Sequence, residues 1–139
     1  MKYFKAFWAG FFATLIFHQG LFLILNKTGL VPFPAYNLTP TAPFGVPNVI
    51  SLSFFGGIWG ILLWTFIAKD RGRIFWIKSL IFGALAPTLV AILIVLPIKG
   101  IPVSLPKFLV GLVLNGFWGV GTSLLMRIKL PNKRLEHQL

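Results

Sequence analysis

Cysteine is absent from this 139-residue chain, which excludes disulfides, thiolate metal sites and cysteine nucleophiles and leaves the redox compartment open. Acid is almost absent too. Asp70 and Glu136 stand against thirteen Lys and Arg, for a net charge of +11. No carboxylate lies in any long apolar run. Proton-coupled export through a membrane Glu, paired-carboxylate catalysis and di-metal chemistry therefore have no residues to use. A Ser–His–Asp set fails as well, because Asp70 falls at the opposite membrane face from His18. No glycine-rich phosphate loop follows a strand pattern. The chain shows no catalytic motif, and a non-catalytic protein is expected.

Charge of any sign is scarce: 11% of residues are charged and 57% are apolar, with a mean hydropathy of +0.87. Soluble domains run near 25% charged, so this chain lacks the polar residues to cover a water-facing surface. A net charge of this size would suggest nucleic acid in a soluble protein. Here the basic residues cluster at the ends of apolar runs, as membrane orientation requires. Nucleic acid is set aside as a partner, and the bilayer takes its place.

Four runs reach the roughly 20 mostly apolar residues a span needs: about 4–25, 49–68, 79–98 and 108–126. The first resembles a signal peptide after Lys2 and Lys5, but it is too long and no small-residue cleavage site follows, so a retained helix is expected. Residues 1–139 then form a single all-α membrane domain, a four-helix bundle. Lys2, Lys5, Lys69, Arg71, Arg73, Lys78, Arg127, Lys129, Lys133 and Arg134 gather on one side, against Lys27, Lys99 and Lys107 on the other. That bias predicts cytoplasmic N and C termini. The outer loop, 26–48, carries five prolines with Phe33, Tyr36 and Phe44. It excludes a helix or central strand and is expected to lie on the membrane or over the bundle mouth. Residues 130–139 read as a basic, frayed tail. Within it Leu135-Glu136-His137 could be vector-encoded, although Gln138 and Leu139 favour a native end.

A short pattern occurs twice. Pro47 precedes Gly57-Ile58-Trp59-Gly60 by ten residues, and Pro106 precedes Gly116-Phe117-Trp118-Gly119 by ten. With Lys27-Thr28-Gly29 against Ile98-Lys99-Gly100, this predicts two parallel two-helix repeats, related by an axis along the membrane normal. Gly56 and Gly60 form a GxxxG pair. Gly111, Asn115, Gly119 and Ser123 continue that spacing on the fourth span, and Ser79, Gly83, Pro87 and Ala91 on the third. Small residues at this interval let helices approach closely in lipid. They serve intramolecular packing or, if one stripe faces outward, assembly as a homo-oligomer. Trp59 and Trp118 lie about ten residues inside their spans, away from the interfacial belt, so each indole N–H wants an acceptor within the bundle.

Polar side chains at depth are candidates for function. His18, Gln19, Ser53, Thr88 and Asn115 all fall roughly 6–15 Å below the outer surface at 1.5 Å per residue, with Thr14 one turn before His18 on the same face. Together with Trp59 and Trp118 they are predicted to line an outward-facing polar pocket beneath the proline-rich loop. Each has a plainer reading. His18 could be a ligand, proton carrier or substrate contact, or hydrogen-bonded glue; Asn115 could be an ion contact or a packing donor. Haem would need a second axial ligand, and chlorophyll-type ligation lacks its usual residues. No metal or cofactor is predicted, a bound lipid excepted.

The segments Phe17-His18-Gln19-Gly20, Pro43-Phe44-Gly45-Val46-Pro47 and Asn115-Gly116-Phe117-Trp118-Gly119 resemble a set of small uncharacterised bacterial four-helix inner-membrane proteins. The resemblance covers nearly the whole chain and implies the topology and a bacterial inner membrane, but no activity. The leading expectation is binding or permeation of a neutral or lipid-like small molecule, since no acid is present to attract a cation. The alternative is a scaffold or accessory subunit that docks a membrane partner protein.

Overall fold

Four helices, each long and apolar enough to cross a membrane, make up the all-α protein. They are α1 (Lys2–Lys27), α2 (Asn48–Ile67), α3 (Gly72–Ile98) and α4 (Leu105–Arg127). A computed structural model describes residues 1–129; the tail read from sequence at 130–139, with Lys133 and Arg134, lies outside the described residues. Even α2, with 20 residues, is about 30 Å long, the thickness of a hydrocarbon core. α3 begins at Gly72 rather than near residue 79. Arg73 and Lys78 lower the local hydropathy without breaking a helix, because a long basic side chain can carry its charge back to water.

The helix ends explain themselves. Gly29 and Gly100 adopt left-handed backbone at φ 79° and 67°, a common way for a helix to end. The Leu30 N–H then reaches back to the Leu25 carbonyl at 3.0 Å, and the Ile101 N–H to that of Leu96 at 2.9 Å. α4 opens on Ser104, whose hydroxyl oxygen accepts the Lys107 N–H. Pro106 sits in its first turn, where a missing N–H costs nothing.

Two hairpins pack side by side. In the first, Ala6, Gly10 and Thr14 of α1 meet Gly60 and Gly56 of α2 in antiparallel order. In the second, Ser79 and Gly83 of α3 meet Gly119 and Asn115 of α4. A methyl group on Gly10 would stand 2.9 Å from the Gly60 Cα, and one on Gly83 2.8 Å from the Gly119 Cα. No carbon atoms approach that closely, so both contacts require glycine. The hairpins join chiefly through α1 and α4. Phe17 covers Gly121 and meets Phe117 edge-on at 5.4 Å, while the Lys5 ammonium donates to the Met126 and Ile128 carbonyls at 3.0 and 2.6 Å. Ala13, Leu63, Ile67, Phe75 and Trp118 form the buried centre.

This order brings Lys2, Lys5, Lys69, Arg71, Arg73, Lys78, Arg127 and Lys129 to one end of the bundle, with Lys27, Lys99 and Lys107 at the other. The proline-rich loop at that second end is ordered. β1 (Pro40–Thr41) pairs antiparallel with β2 (Val46–Pro47), and Val31 is buried. The Asn26 amide donates to the Val31 and Phe33 carbonyls at 3.0 and 2.8 Å. The loop thus folds back on α1.

Candidate functional site

Helix α1 contains a π turn at Thr14–His18. The Gln19 N–H, which an α-helix would direct to Leu15, goes to the Ile16 and Thr14 carbonyls instead. The Leu15 carbonyl accepts the Tyr36 hydroxyl at 2.7 Å. π turns are wider than α turns and cluster at functional sites. Its two ends differ in burial. Thr14 turns inward, buried, donating to the Gly10 carbonyl at 2.9 Å. His18 stays half-buried at the edge.

Tyr36 anchors the loop a second time. It is the one non-glycine residue at positive φ (55°) among those described, and its N–H donates to Gln19 Oε1 at 2.8 Å. An N–H can only donate, so this bond fixes the orientation of the buried Gln19 amide. Gln19 Nε2 then faces His18 Nδ1 at 3.1 Å and must be the donor there. The imidazole is therefore the neutral tautomer with its proton on Nε2. Nε2 is then the ring's one donor.

The other predicted residues pair elsewhere. Asn115 Nδ2 donates to Thr88 Oγ1 at 2.9 Å between α4 and α3. Ser53, fully buried, bonds the Val49 carbonyl of its own helix at 2.7 Å. Trp118 is buried and gives its indole N–H to the Gly10 carbonyl at 3.0 Å, across the two hairpins. Trp59 is half-buried and meets Phe82 edge-on at 6.2 Å. The structure thus brings together His18 with Gln19, and Thr88 with Asn115. Ser53 and Trp118 give their hydrogen bonds to backbone carbonyls outside either pair. Sequence reasoning missed Tyr36 as a member of the site and treated Ser79 and Ser123 only as small packing residues. They form a fully buried hydroxyl pair at 2.6 Å, a link that their matching four-residue stripes could have indicated.

An open groove of about 450 Å³, wholly apolar, lies between α1, α3 and α4; Leu21, Val113, Gly116, Phe117 and Leu80 are among its walls. Leu21, three residues after His18, is the residue that α1 contributes to these walls. No group of three or more His, Cys, Asp or Glu able to hold a metal occurs among the described residues. No family model, curated protein or solved structure matches this chain.

Proposed function

We propose that this is a small multi-pass protein of a bacterial inner membrane that binds a neutral or lipid-like molecule near the middle of the bundle. The observation that carries this reading is the Tyr36–Gln19–His18 relay, which leaves His18 Nε2 as a fixed donor three residues from Leu21, in the wall of an apolar groove. A hydrocarbon body fits the groove, and a carbonyl, ester or hydroxyl oxygen suits the imidazole N–H. Binding is favoured over permeation because the polar residues pair off separately rather than lining one path. The charge bias between the two ends supports cytoplasmic termini. The shared Gly10–Gly60 and Gly83–Gly119 contacts, with like caps at Gly29 and Gly100, support a duplicated hairpin.

The test is native mass spectrometry of the protein extracted from membranes, comparing wild type with His18→Leu. The variant is expected to lose a co-purifying molecule while its thermal unfolding stays within a few degrees of wild type. Equal occupancy in the two proteins would overturn the reading.

A second reading is favoured by the internal bonding of Thr88 with Asn115 and of Ser79 with Ser123. Polar residues used this way only lock helices, as an accessory subunit or homo-oligomer would require. Under it, His18→Leu changes assembly rather than ligand content.

A further inference from the structure

A second groove, of about 460 Å³, runs along the opposite face, between α2 and α3. Phe66, Phe82, Leu85 and Leu89 line it, with Lys78 at its basic end. We propose that this groove is a binding site for an anionic phospholipid of the leaflet at the basic end, one acyl chain lying in the groove and the phosphate at Lys78.

Length argues for an acyl chain. From Lys78 to Leu89 the groove follows α3 for about 16 Å, at 1.5 Å per residue. Half of a ~30 Å hydrocarbon core is about 15 Å, the depth one leaflet's chain occupies. The groove therefore starts where a headgroup sits and ends near the midplane.

Charge argues for an anionic headgroup. An ammonium has three donors. Two of Lys78's go to the Asp70 oxygens, at 3.0 and 2.9 Å, and its charge lies 5.5 Å from the centre of the Phe66 ring. This holds Nζ at the groove's end and leaves its third N–H for a phosphate oxygen. Asp70 offsets one charge only: Lys69, Arg71 and Arg73 are exposed in the same turn. Residues 69–78 thus carry four basic groups against one acid, a net charge of +3. A zwitterionic headgroup would leave that surplus unmet.

The full-length protein is reconstituted in nanodiscs of mixed phosphatidylglycerol and phosphatidylcholine, and the lipids retained on ejection are counted by native mass spectrometry. Wild type should retain phosphatidylglycerol in preference. Lys78→Gln should reduce that preference about fivefold, the worth of one basic residue at an anionic surface. Leu85→Trp should reduce it as far by filling the groove. Leu85 is exposed, so this variant keeps the fold and remains informative should Lys78→Gln, with Asp70 unpaired, fail to fold. Lys107→Gln, at the other end, should change nothing. A preference that survives Leu85→Trp, or that follows total charge wherever it is removed, would overturn the site in favour of diffuse attraction. Wild type retaining the two lipids without preference would overturn it equally.

Discussion

Glycine decides the packing residue by residue, and three positions separate the cases. Gly10 and Gly83 have backbone of the facing helix where a Cβ would go, whereas Gly20 has nothing within 4 Å. Gly10→Ala and Gly83→Ala should each push a hairpin apart and cost about 1–3 kcal/mol, the range for overpacking. Gly20→Ala should be neutral or stabilise by up to about 1 kcal/mol through helix propensity. Unfolding in detergent, followed by circular dichroism, reads all three; equal effects would show that the close contacts are not what holds the hairpins. The spacing of Gly56, Gly60, Gly83 and Gly119 was legible because period-four small residues need only counting. Gly10 escaped that count. Its companions, Ala6 and Thr14, have the same spacing but are common enough in apolar runs to carry little signal alone.

At the scale of the element, α1 and the loop it carries explain where reading the sequence stops. Five prolines made the absence of a helix in the loop legible, since proline removes a donor and fixes φ. Nothing in Thr14-Leu15-Ile16-Phe17-His18 distinguishes a π turn from an α turn. That turn is matched to partners distant in sequence: Tyr36 on its freed carbonyl and Gly56 beneath Thr14. If Tyr36 is the anchor, Tyr36→Phe removes one hydrogen bond worth about 0.5–1.5 kcal/mol. Amide exchange across 31–37 should then quicken about twofold to tenfold. Gln19→Leu should expose the Tyr36 amide itself, without opening α3 or α4. Hydrogen–deuterium exchange by mass spectrometry resolves these segments. Unchanged exchange in both variants would mean that Asn26 and the β1–β2 pair hold the loop without Tyr36.

For the molecule as a whole, the question is which end faces the cytoplasm, and the missing cysteine makes it answerable. The described residues put eight basic side chains at one end and three at the other. Translocating the richer end would move positive charge against the membrane potential, at about 2.3 kcal/mol per charge per 100 mV. The difference of five charges is large enough to select one orientation rather than a mixture. A single cysteine can be introduced into a background that has none. Phe44 in the proline-rich loop is 89% exposed, and Arg71, between α2 and α3, is exposed as well. In intact bacterial cells a membrane-impermeant maleimide should label Phe44→Cys at once, and Arg71→Cys only after permeabilisation. Arg71→Cys removes one charge from the richer end, which still leads by four. The reverse labelling would invert the protein, moving His18 to the cytoplasmic half and the Lys78 groove to the outer leaflet. Equal labelling of both sites in intact cells would mean dual insertion, and the Lys78 groove could then not be assigned to one leaflet's lipid.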